Sequence, residues 1–300
     1  MGVDVIVVGA GPTGLMLAHE LASGGARVTV LEQATVRVQQ TKGGAIQPRT
    51  AELLDARGLL DPLKDRMLTR PPVGGHFAGL PVELDCTPWR TRQPYPLSVA
   101  QWTIEEVFET AATALGAQVL RGRRVAAVEV DDVGVLVTAD IAGTADTAQF
   151  RARYVVACDG AHSTARKALG LPFPGRPGTY RAVLADVRLS AVSDLVPAST
   201  GHMSTLTRST RDYWGMLVPI GGDRYRFTYG KIGAPGAPGD ATAPVSAEAV
   251  QHALEAVLIR PDGSVCWRAE SGTPLEDALR STFGAPAAAV AATGARVPAW

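Results

Sequence analysis

VVGAGPTGLMLAHELASGGARVTVLE, residues 7–32, decides the fold. The apolar run at 4–8 suits a short strand buried on both faces. Residues 13–23 place Leu15, Leu17 and Leu21 at helical spacing and stop at Gly24-Gly25, a helix-ending pair. Residues 28–31 form a second apolar run that ends on Glu32. Strand, helix and strand make a βαβ unit, whose right-handed crossover requires a parallel sheet. Between the first strand and the helix lies Gly9-x-Gly11-x-x-Gly14. Gly9 permits a tight turn, Gly11 lets backbone approach a pyrophosphate, and Gly14 lets helix and strand pack closely. Pro12 and Thr13 open the helix, whose amino end offers partial positive charge to phosphates. Glu32 is placed to take ribose hydroxyls, and its charge would repel a 2′-phosphate, which excludes NADP from this site. The fingerprint by itself leaves FAD and NAD both open.

Length and charge bound the rest. Three hundred residues can build one large domain or two smaller ones, and 46% hydrophobic with 19% charged residues describes a globular chain. Its 29 basic and 29 acidic residues cancel, which leaves a nucleic-acid partner without electrostatic support. Cys86, Cys158 and Cys266 form no CxxC pair and read as reduced packing residues of a cytoplasmic protein. The five histidines show no HxH or HExxH spacing, so no metal site is expected. No apolar run approaches the roughly 20 residues a bilayer crossing needs.

Further along, 48–57 is an amphipathic helix closed by Gly58, and 103–115 is another that stops at Gly116. Residues 71–100 are rich in Pro, Gly and aromatics and read as an excursion from the sheet. VAAVEV (125–130) and GVLVTA (134–139) alternate as a β-meander would, and YVVAC (154–158) reads as a buried strand. This makes the third sheet strand late, behind a long insertion. Beyond Gly178 the alternation in 181–189, 214–219 and 224–230 predicts an antiparallel sheet, followed by a helix over 247–258.

The second informative stretch is CDGAHSTARKALG, residues 158–170. An Asp-Gly at the carboxyl end of a parallel strand stands where ligands bind in such sheets. Ser163 can cap the helix that follows, and Asp159 can combine a capping role with ligand contact.

Together with IQPRTAELLDARGLLD (46–61), VGGHFAGL (73–80), AQWTIEEVFETAA (100–112) and AVLADVRL (182–189), these segments resemble the FAD-dependent aromatic-ring monooxygenases of the p-hydroxybenzoate hydroxylase type. Actinobacterial polyketide hydroxylases and rifampicin monooxygenase look nearest, and the likeness runs in order from residue 3 to about 258. It implies an α/β fold, a Rossmann-like FAD-binding domain of the glutathione-reductase type with an antiparallel β-sheet substrate domain. The implied division is 1–70 and 101–177 for FAD, 71–100 and 178–258 for substrate, and 259–300 as an atypical tail.

By that resemblance, Gly9, Gly11, Pro12, Thr13 and Gly14 cradle the FAD pyrophosphate. Glu32, with Gln33 beside it, holds the adenosine ribose, and Gln101 meets the flavin side. Asp159 and Gly160 serve FAD and a transient NADPH or NADH. Lys42 stands in a TKGGA segment where relatives usually carry an arginine that reaches the flavin. The implied chemistry is that flavin, reduced by NADPH or NADH, activates O2 and passes one oxygen to an electron-rich ring. No catalytic base is assigned. His76, Phe77, Trp89, Trp102, Tyr213 and Trp214 are candidates to line a substrate site, although aromatics at strand spacing are more often core.

Two rival readings are weighed. WGMLVP (214–219) has the outline of the W-x-W-x-I-P of flavin-dependent halogenases, but Met216 stands where the second tryptophan belongs. The other is an inactive, truncated hydroxylase. Gly239-Asp240-Ala241 is a superficial match to the family's G-D-A-A-H motif, and it follows a Pro/Gly loop rather than a strand. After Leu258 periodicity fades and half of the last sixteen residues are alanine, as in a shifted reading frame of a high-GC gene.

Overall fold

The computed structural model describes residues 2–39, 43–68, 75–76, 83–84, 87–175, 182–189, 196–197, 199, 206–209, 213–232 and 245–256. The chain divides into two compact units. One combines Met1–Gly44, Leu53–Arg66 and Val99–Gly175; the other combines Ala45–Glu52, Met67–Ser98 and Arg176–Trp300.

The first unit is built on the opening βαβ. Strand β1 (Val3–Val8), helix α1 (Pro12–Ser23) and strand β2 (Val28–Glu32) form as the apolar periods require. Chain order continues with β3 (Ala45–Ile46), α2 (Pro48–Asp55), α3 (Asp61–Lys64), β4 (Gly75–His76), β5 (Glu83–Leu84) and β6 (Leu97–Ser98). Then come α4 (Gln101–Ala114), β7 (Gln118–Arg121), β8 (Arg123–Asp131), β9 (Gly134–Ile141), β10 (Thr147–Ala157) and α5 (Thr164–Ala168). One six-stranded sheet runs β7-β2-β1-β10-β9-β8. Its first four strands are parallel, and β10, β9 and β8 are joined by antiparallel pairing.

Two strand expectations are corrected. The third parallel strand in chain order is β7, not the late one, and it adds to the free edge of β2 in register Glu32↔Arg121. Its QVLR sequence is too short to announce a period. The late strand is longer than YVVAC: residues 147–152 of β10 pair antiparallel with β9, and residues 152–157 pair parallel with β1. Nor is it buried on both faces. Tyr154 is 60% and Val156 is 37% exposed, whereas their β1 partners Val5 and Val7 are buried. Helix α1 packs over β1 and β2, and α4 packs beside it and against β7, so among the described residues this helical layer is centred on β1, β2 and β7 rather than on β10. The opposite face is closed by Val125, Val128, Val135 and Val137 of β8 and β9, and by Ala165 of α5, which enclose Ile6, Val8 and Leu31.

The second unit holds an antiparallel sheet of β11 (Ala182–Arg188), β14 (Arg224–Lys231), β13 (Tyr213–Gly221) and β12 (Thr207–Ser209), in that order. Alternation decides its two faces. Val183, Ala185, Val187, Tyr225, Phe227 and Tyr229 point one way and pack with Val250 and Ala253 of the terminal described helix α6 (Ala247–Ala256). Leu184, Asp186, Arg226 and Thr228 alternate to the other face, where Arg226 Nε donates to Asp186 Oδ1 at 2.5 Å. Among the described residues no helix is long and apolar enough to cross a membrane.

Candidate cofactor site

The site grows from the end of β1. Gly9 turns there with φ +101, a left-handed backbone that disfavours a side chain. A Cβ on it would also lie 2.6 Å from the Cys158 carbonyl oxygen. The Gly9 N–H donates to the Leu31 carbonyl and the Cys158 N–H donates to the Val8 carbonyl, both at 2.8 Å. The turn is therefore clamped between β2 on one side and β10 on the other. Gly14 is needed for proximity: its Cβ would stand 2.0 Å from the Gly9 carbonyl oxygen, so any larger residue forces α1 off the turn.

Gly11 differs from both. Among the described residues, none beyond its two chain neighbours comes within 4 Å of the position its Cβ would take. It is the N-cap of α1 in extended conformation and contributes no side-chain cap, Pro12 follows, and no acidic residue occupies the first turn. The helix thus presents uncompensated donors and its positive end to an open space, which suits a pyrophosphate.

Glu32 closes one side of that space. Its Oε2 accepts the Ala10 N–H at 2.7 Å and its Oε1 accepts the Ala34 N–H at 2.8 Å. Both bonds are charge-assisted and fix the carboxylate, while each oxygen retains a lone pair for a hydroxyl. Gln33 is exposed beside it.

On the other side, Asp159 Oδ2 accepts the Ala165 N–H at 3.1 Å and Ser163 Oγ accepts the Arg166 N–H at 3.0 Å, so both carboxylate and hydroxyl start α5. Gly160 follows Asp159 with φ +81. The backbone of Asp159 abuts Gly9: its Cα would be 3.3 Å from a Cβ there. Distant stretches of sequence therefore meet at one end of the parallel strands, the position where such sheets bind ligands.

Gln101 is the first residue of α4, which begins two residues earlier than the period of 103–115 suggests. Its Oε1 accepts the Gly43 N–H at 3.2 Å and its Nε2 donates to Glu105 Oε1 at 2.8 Å. Lys42 lies outside the described residues, as do Phe77, Gly239 and the side chain of His76. Trp89 is 60% exposed, Trp102 is half-buried on α4, and Trp214 is half-buried on β13. Tyr213, by contrast, packs into the core of the second unit, with its ring 6.3 Å from that of Tyr229. Cys158 is a free thiol whose pKa is pushed up, by burial first and the neighbouring Asp159 second. Among the described residues no cluster of His, Cys, Asp and Glu could hold a metal ion.

Sequence reading missed a group of charges next to Glu32. Glu109 Oε2 accepts from Arg37 Nη2 at 2.5 Å and from Arg121 Nη2 at 2.6 Å. Burial pushes the Glu109 pKa up, but the bonds from Arg121 and Arg37 outweigh it and hold the carboxyl below its usual range. Glu105, only 8% exposed, is the reverse case: desolvation raises its pKa, against the Gln101 bond and the Arg37 and Arg121 charges, and Glu32 adds to the rise. Gln101, Glu105 and Glu109 recur every fourth residue and could have been found as one helix face. Arg121 could not, because only the β2–β7 register brings it alongside.

A glycine turn, an open helix terminus, a fixed carboxylate and an Asp-Gly corner define a dinucleotide-binding α/β protein. The chain belongs to the FAD binding domain family, whose model matches residues 2–270. That match passes Leu258, where the resemblance had been expected to end. Rifampicin monooxygenase of Streptomyces venezuelae is 39% identical over 257 residues, 84% of this chain and 50% of that protein. Dialkyldecalin synthase of Streptomyces rugosporus is 30% identical over 245 residues, 80% of this chain and 49% of its own. Among solved structures, OxyS anhydrotetracycline hydroxylase from Streptomyces rimosus superposes with a TM-score of 0.71 at 38% identity, over 86% of this chain and 49% of that one. The chain spans about half the length of the curated relatives it matches.

Proposed function

We propose that this protein binds FAD in a Rossmann-like site of the glutathione-reductase type and hydroxylates an electron-rich aromatic ring, phenolic or polyketide, with O2 and NADPH or NADH. The observation that carries the reading is the open space at Gly11, bounded by the α1 terminus, the Glu32 carboxylate and the Asp159 corner, in a chain of the FAD binding domain family. Gly9, Gly11, Pro12, Thr13 and Gly14 hold the pyrophosphate by backbone and helix dipole. Glu32 takes the adenosine ribose with Gln33 beside it, Gln101 and Lys42 serve the flavin half, and Asp159-Gly160 brace the same molecule.

When bound, the flavin supplies reduction by the pyridine nucleotide and activation of O2. The chain's own residues orient the cofactor and keep charge balanced around it. In the second unit, the sheet face of Leu184, Asp186, Trp214, Met216, Val218 and Arg226 is the one not packed on α6, and it offers one tryptophan, aliphatic side chains and a paired charge for substrate. The names of the rifampicin and anhydrotetracycline relatives support an aromatic substrate. Balanced net charge gives a nucleic-acid partner no electrostatic support, and cysteines without a CxxC pair suit a reducing cytoplasm.

The test is direct. Purified protein should carry FAD near one per chain, with a flavin absorption spectrum. Phenolic and polyketide compounds should then stimulate NADPH or NADH oxidation, with a hydroxylated product seen by mass spectrometry. Protein that takes up NAD tightly and no flavin would overturn the reading. Cyclised product without O2 consumption would instead place the chain with the synthase relative.

A further inference from the structure

We propose that Glu105 is a positioning residue for the flavin half of the cofactor, locking the side-chain amide of Gln101 in one of its two orientations. The inference rests on the FAD reading above and adds to it a residue that makes no contact with the ligand. A terminal amide is nearly symmetric in shape, and only its hydrogen-bond partners decide which end is carbonyl. Here both ends are dictated. The Gly43 N–H can only donate, so it demands the Gln101 oxygen, at 3.2 Å. Glu105 Oε1 demands the nitrogen, at 2.8 Å, and a flipped amide would set oxygen against oxygen.

Glu105 is itself held. It sits one helical turn after Gln101 on α4 and is 8% exposed. Around it stand Glu32 at the end of β2, Arg37 beyond that strand, Arg121 on β7 and Glu109 a turn further along α4. A buried carboxylate costs stability unless it is paired, so a glutamate placed beside two arginines already committed to Glu109 points to a task other than holding the fold. Desolvation raising its pKa is consistent with that cost. The chain of bonds also ties the Gly43 backbone to α4.

The experiment is a double-mutant cycle on the full 300-residue chain, read as the Kd for FAD from flavin fluorescence, with thermal midpoints recorded alongside. Glu105→Leu should weaken FAD binding roughly tenfold, the worth of one lost orienting bond. Glu105→Gln, whose carbonyl can still accept from Gln101, should stay within about threefold of wild type. In a Gln101→Leu background, Glu105→Leu should cause no further loss, because Glu105 acts only through that amide. Glu105→Ala replaces Glu105→Leu if the latter misfolds. Equal losses in both backgrounds, or a Glu105→Leu Kd within twofold of wild type, would overturn the proposal while leaving the FAD site standing. Wild-type protein that fails to bind FAD would remove both.

Discussion

Adding one methyl group at Gly11 separates the cofactor site from the fold that carries it. The backbone there is extended, φ −74 and ψ 177, which alanine adopts freely, and among the described residues the new Cβ meets none within 4 Å beyond its chain neighbours. Loss of glycine's freedom in the unfolded chain and loss of a good N-cap are of similar size, a few tenths to about 1 kcal/mol each, and oppose one another. Gly11→Ala should therefore unfold within about 0.5 kcal/mol of wild type. On the proposed reading of the site, the same methyl occupies the space where the pyrophosphate approaches backbone. Overpacking of that kind costs about 1–3 kcal/mol, so Kd for FAD should rise roughly 5- to 150-fold. Gly14→Ala is the contrast. Its Cβ would stand 2.0 Å from the Gly9 carbonyl, and α1 must retreat by about 1.5 Å to restore an ordinary contact. Stability and binding should fall together there, despite a helix-propensity gain near 1 kcal/mol. Urea unfolding followed by circular dichroism, with FAD titrated by fluorescence, reads both quantities. Gly11→Ala protein that binds FAD as tightly as wild type would refute the placement of the pyrophosphate.

Glu32→Gln leaves one backbone N–H facing an amide NH2 and removes the charge from two bonds, so FAD binding should weaken at least tenfold, about 1.5–3 kcal/mol; titration of FAD against NADP would show whether the carboxylate also selects against a 2′-phosphate. Because folding raises the Glu105 pKa, the native state holds a proton that the unfolded chain has lost between the usual glutamate value and the raised one. Stability therefore falls as pH rises through that window. Glu105→Gln should melt higher than wild type near neutral pH, by about 2–4 °C for each kcal/mol of relieved burial, and the gap should close below about pH 4.5; melts from pH 4 to 8 check it. Glu109 has the opposite sign. Its pKa is depressed, so its contribution is present at neutral pH and is lost as acid passes below the usual glutamate range, and Glu109→Gln should flatten that acid limb. In the second unit Phe227 is 2% exposed and stacked on Tyr229 at 4.9 Å, and Phe227→Ala should cost about 3–5 kcal/mol in urea unfolding.

The opening βαβ was legible because each of its decisions is local. Short apolar runs, a 3.6-residue period, glycines at three fixed positions and an acid at a strand end can all be read within residues 4–32. So was the Asp-Gly corner, whose Asp159 and Ser163 cap their own helix. What escaped was set by partners distant in sequence. β7 shows no period in four residues and exists because β2 has an edge to fill. The open face of Tyr154 and Val156 follows from where the helical layer ends, which no run of residues in β10 encodes. The bonds from Arg37 and Arg121 to one carboxylate of α4 join three segments that only strand register aligns.

Sequence alone determined the dinucleotide-binding βαβ unit, since glycine spacing and hydrophobic period act over single turns of backbone. Tertiary structure decided how the rest of the site is wired: which carboxylates are paired, which is left buried at a cost, and which end of the Gln101 amide faces Gly43. The physical reason is range. Backbone geometry is settled by neighbours along the chain, whereas the charge and burial of a side chain are settled by whatever the sheet brings beside it.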